Sequence, residues 1–285
     1  MNMRIYLILG YLLFPLINTQ AQTDLSKSIT RSQNKGKMFL YWGWNREGFT
    51  KSDIHFKGEN YDFTLHDVRA HDRQSHLNYN PYLKLNAITI PQYNFRLGYF
   101  INNSLNISIG QDHMKYVMIQ NQTVTIDGTI SNSGTPFDGV YGGNDKMVLT
   151  DKFLMFEHTD GLNYLNIEIN KFKELKHLGS KITLNYMFGL GAGVLYPRSN
   201  VTLLGKPRHD EFHVAGYGAS AKVGLNFTFY KYYFLQFEAK GGYINMPDIR
   251  TTMYPIDKAK QHFAFAQGIA VFGINIPVFN QSKSK

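Results

Sequence analysis

Imidazole beside carboxylate occurs at two places in the chain, and that pairing is the first chemistry the sequence offers. One is Asp112-His113; the other is Glu157-His158-Thr159-Asp160. A histidine next to a carboxylate can act as a general base in hydrolysis, so Asp112, His113, His158 and Asp160 are the candidate catalytic residues. No serine stands at a convincing nucleophile position, Thr159 is a poor substitute, and a hydrogen-bonded ion cluster uses the same residue types. A second imidazole-rich set is His66-Asp67, His71-Asp72 and His76. His66, His71 and His76 could hold zinc or copper if their segment folds back on itself, but their spacing matches no standard site. Cysteine is absent, which excludes disulfides, thiolate metal sites and thiol nucleophiles.

A third set is cationic. The net charge is +9, yet no basic run interleaved with aromatics suggests nucleic acid. Arg46, Lys115, Lys152, Arg198, Arg250 and Lys260 all fall near the ends of alternating segments, as do Lys206, Arg208 and Lys258. At such positions they can meet lipid phosphate or simply be solvated charge.

These residues are positioned by strands. Ile182, Leu184, Tyr186, Phe188, Leu190, Ala192, Val194 and Tyr196 share one face, against Thr183, Asn185, Met187, Gly189, Gly191 and Gly193 on the other. A helix would repeat at three and four, not two. The same alternation runs through 92–101, 215–229 and 233–243. Strands of soluble sandwiches run about 5–6 residues, whereas a tilted strand needs about 9–11 to cross a bilayer. The long alternating rows, the small residues opposite them and the aromatic content of 15% place the apolar face against lipid and the polar face inside a closed cylinder.

Eight strands are predicted, at about 36–46, 92–101, 104–117, 152–170, 181–197, 212–229, 232–247 and 260–279. Long connections (47–91, 118–151, 198–211, 248–259) alternate with short or moderate ones: Asn102-Asn103, 171–180 and Tyr230-Lys231. Within the first long connection, Ile54, Phe56, Tyr61, Phe63 and Leu65 alternate roughly, which predicts a wall extension or a hairpin above the barrel. Inward positions include Arg96, Lys222, Glu238 and Lys240, which should pair as a plug because an isolated charge there would be strongly destabilising. By the same parity Asp112, His158 and Asp160 point inward, and His113 and Glu157 outward. Glycines 189, 191, 193, 216 and 218 point inward, leaving either a small cavity or room for large opposing side chains.

Residues 1–21 read as a signal peptide: Arg4, the apolar core Ile5–Ile17, then Thr19-Gln20-Ala21 before the cleavage point. Residues 22–35 would be a periplasmic segment, 36–279 the barrel and 280–285 a tail. With its leader, alternating strands, unequal connections and aromatics near strand ends, the chain resembles the small eight-stranded outer-membrane proteins of Gram-negative bacteria and is similar to barrels of the Bacteroidota. That resemblance implies an all-β, closed antiparallel transmembrane barrel in the outer membrane. Phe279 matches the terminal aromatic of many such barrels, although six residues follow it.

The resemblance implies no cofactor. Its partners would be outer-membrane lipid, lipopolysaccharide and, during insertion, the barrel-assembly machinery; nucleic acid is excluded and a monomer is compatible. The expected role is structural or surface-interacting. The alternatives are a lipid-modifying hydrolase using the Asp/His cluster, or a transporter of small hydrophobic molecules.

Overall fold

The computed structural model of the protein describes residues 33–84, 86–158 and 160–278. The expected signal peptide, most of the segment after it, Thr159, Phe279 and the tail lie outside the described residues. In chain order the strands are β1 (Lys37–Phe49), β2 (Ser52–Lys57), β3 (Tyr61–Val68), β4 (Ala70–His71), β5 (Tyr93–Phe100), β6 (Leu105–Asp112), β7 (Tyr116–Met118) and β8 (Thr123–Ile130). They continue with β9 (Gly139–Val148), β10 (Leu154–His158), β11 (Tyr164–Leu178), β12 (Ile182–Leu195), β13 (Asn200–Leu203), β14 (Gly216–Phe229), β15 (Tyr233–Arg250) and β16 (Lys258–Pro277).

Eight of them close a ring, β1-β5-β6-β11-β12-β14-β15-β16, and β16 pairs with β1 from Phe49↔Phe265 down to Lys37↔Pro277. All of these ladders are antiparallel. One end is joined by tight turns. At 101–104 the Asn102 side chain accepts the Ser104 and Leu105 amides, each at 2.9 Å. At 230–232 Tyr230 and Lys231 adopt φ of 52° and 69°, the left-handed pair that a two-residue hairpin requires.

Outward rows on the ring are apolar and uncovered. Ile167, Leu190 and Phe237 are 54%, 55% and 53% exposed, and similar side chains surround the wall. So broad an exposed apolar ring is not a water-facing surface; it is the lipid face of a transmembrane barrel. No helix among the described residues is long and apolar enough to cross a membrane, so the crossing is made by strands.

The opposite end differs from the open loops expected there. From the upper part of β16 the sheet continues through β2, β3, β8 and β9, so the predicted hairpin over Ser52–Arg69 is present. A second sheet, β13-β10-β7-β4, packs against this extension. Between them lies an apolar core that includes Ile54, Phe56, Phe63, Leu65, Phe153 and Phe156, each 1% exposed or less. The long connections thus form a folded headpiece over the barrel mouth.

Two strand boundaries need correction. The stretch predicted as one strand over 152–170 is two: β10 belongs to the headpiece and β11 to the wall, where it continues to Leu178. Gly161 separates them at φ +105°, with no room for a Cβ, which would lie 2.5 Å from His113 Nδ1. Likewise 104–117 breaks after Asp112, and β7 turns into the second headpiece sheet.

Candidate functional site

Inward-facing positions of six wall strands meet at mid-barrel. Glu168 of β11 is the centre. Its Oε1 lies 3.0 Å from Arg96 Nη2 and 2.7 Å from Lys240 Nζ, and its Oε2 lies 2.7 Å from Lys222 Nζ. Lys222 also reaches Glu238 at 2.9 Å; Lys240 pairs with Asp112; Arg96 approaches Asp112 at 3.4 Å. Three cations face three carboxylates, so the network is neutral, and every member is at most 5% exposed. Amides complete it. Asn94 donates to Asp112 at 2.7 Å, Asn166 accepts from Arg96 at 2.8 Å, and the Tyr41 hydroxyl accepts from Arg96 Nε at 3.0 Å. Such saturation is what makes buried charge tolerable.

The predicted lumen residues Arg96, Lys222, Glu238 and Lys240 therefore sit in one network. Two further members complete it. Asp112 is among the catalytic candidates of the sequence, and Glu168 is legible in the alternation Tyr164, Asn166, Glu168, Asn170 against Leu165, Ile167 and Ile169. The inward glycines make the room: a Cβ on Gly191 would stand 2.8 Å from Glu168 Cγ, and one on Gly189 would stand 3.1 Å from Lys222 Cε.

Below the network the lumen is closed by Phe39, Tyr41, Phe100, Phe234, Ile269 and Val271, with Phe172 against them. The gap left among these aromatics and nearby asparagines is about 20 Å³, room for one water molecule. Above the network, Tyr164, Leu195, Ile244 and Phe265 join the headpiece core.

The proposed Asp/His cluster is split: Asp112 and His158 lie in separate interiors, while His113 and Asp160 line one groove. Asp112 is consumed by the ion network. His158 is fully buried in the headpiece, where its Nδ1 lies 2.9 Å from Ser199 Oγ. Burial holds its pKa down at about 3. This Ser/His contact is sealed from solvent and has no carboxylate on the far ring nitrogen, so it lacks the geometry of a hydrolytic triad. Asp160 is on the surface, paired with Arg198.

His113 takes a different place. It faces outward at the rim, donates from Nδ1 to Asn163 Oδ1 at 2.8 Å and stacks on Tyr93 at 4.8 Å, which in turn stacks on Trp42 at 4.4 Å. Burial lowers its pKa. A groove of about 490 Å³ brings His113 together with Lys115, Asp160, Tyr93, Tyr196 and Phe212, beside the outward Leu165. Lys115 Nζ donates to the Ile90 carbonyl at 2.7 Å. The groove has aromatic walls and charged groups at the upper edge of the lipid belt. Among the described residues the hydrogen-bond partner of the His113 ring is the Asn163 amide oxygen.

The weaker metal candidates do not converge either. His66 Nδ1 is 3.2 Å from Asp53, and its Nε2 pairs with Asp127, whose hydrogen bond raises its pKa; His71 Nδ1 bonds the Asp72 carbonyl at 2.8 Å. No metal-binding group of three or more His, Asp or Glu forms among the described residues. Of the cations proposed for lipid phosphate, Arg46 donates to Tyr82 Oη at 3.0 Å, Arg198 is held by Asp160 and Asp210, and Arg250 lies 3.9 Å from Asp248. Lys152 and Lys260 are exposed.

No protein-family model matches the chain, and no curated protein matches it. Solved structures similar to it include the outer membrane protein OprG from Pseudomonas aeruginosa, at 7% identity over 86% of this chain and 98% of that one, with a TM-score of 0.37. Neisserial surface protein A is similar at 8% identity over 84% and 99%, TM-score 0.34. Ail, the attachment invasion locus protein of Yersinia pestis, is similar at 10% identity over 85% and 99%, TM-score 0.29.

Proposed function

We propose that the protein is a plugged outer-membrane barrel of a Gram-negative envelope whose task is to hold a rigid headpiece at the cell surface for contact with envelope lipid or an external partner. The observation that carries this reading is the continuity of β15 and β16 from the lipid belt into a folded apolar-cored unit, over a lumen filled by ion pairs and aromatics. A filled lumen does not conduct, which argues against the transporter alternative. The separation of Asp112, His113 and His158 favours this reading over a hydrolase. The rim groove around His113 and Lys115 lies at the height where outer-leaflet headgroups meet the wall, and it is the region we assign to lipid contact.

The purified chain, refolded in detergent and run unheated and heated, tests the barrel through its gel mobility; planar-bilayer recordings test the plug. A heat-modifiable band with no unitary conductance is expected. Steady unitary currents through the folded protein would refute the display reading and restore transport.

A further inference from the structure

The positive charge of the chain is not where loop contact with lipid phosphate would put it. Around the headpiece, cations and carboxylates are nearly balanced and largely paired: Arg73 with Glu157, Lys206 with Asp257, Arg198 with Asp160 and Asp210. The lumen is neutral. At the tight-turn end, by contrast, seven of the described lysines stand against one described carboxylate, Glu174, itself engaged by His177 at 2.8 Å.

Lys35 and Lys37 open β1; Lys171, Lys173 and Lys176 end β11; Lys181 and Lys231 lie in the turns. Among the described residues none of the seven has a carboxylate within 4.0 Å. Lys37 Nζ instead leans on the backbone carbonyl of Lys231 at 3.4 Å, and Lys181 lies over the Tyr230 ring at 5.3 Å.

Lys171 and Lys173 fix the level of this collar. They occupy the same outward row as Leu165, Ile167 and Ile169, opposite Phe188 and Tyr186. A lysine at the foot of a lipid-facing row snorkels, laying its stem on hydrocarbon and its ammonium in the headgroup plane. Tyr230, Tyr232 and Tyr233, 50–62% exposed, mark the same interface.

We propose that this collar is a binding surface for anionic phospholipid headgroups of the inner, periplasmic leaflet, so that the lower end of the barrel recruits a ring of acidic lipid while the neutral headpiece does not. The proposal rests on the membrane reading above. Lipid is favoured over a soluble polyanion or cell-wall polymer because two of the lysines sit on the hydrocarbon-facing row, where only lipid reaches.

The test is the urea midpoint of the full chain folded into vesicles of phosphatidylcholine alone and of phosphatidylcholine mixed with phosphatidylglycerol. The wild type should gain a higher midpoint from phosphatidylglycerol, and salt should abolish that gain. The triple variant Lys171→Gln, Lys173→Gln, Lys231→Gln should match the wild type in phosphatidylcholine and lose the gain; Lys152→Gln with Lys260→Gln, on the headpiece, should retain it. The proposal is overturned if the collar variant keeps the full gain, if the headpiece variant loses it, or if inorganic phosphate added to phosphatidylcholine vesicles reproduces it. It is also overturned if isolated peptidoglycan retains the wild type but not the collar variant while phosphatidylglycerol has no effect. Failure of the wild type to fold into phosphatidylcholine at all would instead refute the membrane reading, and is seen before any charged lipid is added.

Discussion

The lower barrel and the headpiece are built from the same strands but turned inside out with respect to polarity. On β15 the inward row reads Gln236, Glu238, Lys240 below and Ile244, Met246, Ile249 above, with a register shift between Met246 and Ile249. The outward row reads Leu235, Phe237, Ala239, Tyr243 below and Asn245, then Arg250, above. On β16 the outward row changes from Lys258, Lys260 and His262 to Ala270, Phe272, Ile274 and Ile276 in the same way. The two strands stay paired with each other across the change, while β16 exchanges β1 for β2 as its other neighbour. What changes is the medium outside: hydrocarbon below, where polar groups must be satisfied inside the ring, and water above, where burial of apolar surface drives packing. The boundary falls near Tyr243 on β15 and Ala264–Ala266 on β16.

This contrast is sharpest where each interior is damaged. Glu168→Ala strips three buried cations of a shared partner and should cost about 3–5 kcal/mol; hydrogen exchange should show β11, β12 and β14 losing protection while β3 and β8 keep theirs. Uniform loss across both storeys would mean that they unfold as one unit. Phe156→Ala empties a site packed against Phe56 and Tyr116 and should cost about 3 kcal/mol. Proteolysis should then nick the headpiece while the barrel keeps its heat-modifiable mobility.

Acid should separate the storeys next. Folded His158 resists protonation down to about pH 3, against about 6.5 when unfolded. Between those values the unfolded state binds the proton, so His158 contributes stability that is present above about pH 6.5 and is lost as pH falls, by about 1.4 kcal/mol per pH unit. His66 runs the other way: its raised pKa contributes stability at low pH that is lost as pH rises through the folded value. His158→Phe should flatten the acid limb of headpiece unfolding, and an unchanged limb would remove this histidine as its cause. The smallest effect is at the surface, where Arg198→Ala should shift the midpoint by less than about 1 kcal/mol because its pairs are solvated.

Much of this was written in the chain. Strict alternation over 182–196 and 215–229 located the wall, and parity placed Arg96, Lys222, Glu238 and Lys240 together. The headpiece was harder to read, since its strands are short, β7 and β13 having three and four residues, and a short apolar run does not reveal whether it packs above the membrane or spans it. The partly polar inward face of 260–279 carried that information, because its apolar upper half, Phe263 and Phe265, belongs to a different interior from Gln267. Adjacency in sequence straddles strand breaks at His113 and Gly161, which part Asp112 from His113 and His158 from Asp160. The lysines at the foot of β11 fall within 171–180, which the sequence reads as a connection, whereas the strand runs on to Leu178.

Since the chain has no cysteine, single cysteines can report each face without background. A fluorophore attached at Val223→Cys, on the outward row of β14, and one attached at His262→Cys, on the outward row of β16 above the boundary, should differ in vesicles containing brominated lipid. Val223 should be strongly quenched by the lipid and shielded from aqueous iodide, and His262 the reverse. Equal exposure of both to iodide, with no quenching by lipid, would contradict a barrel that meets hydrocarbon below and water above.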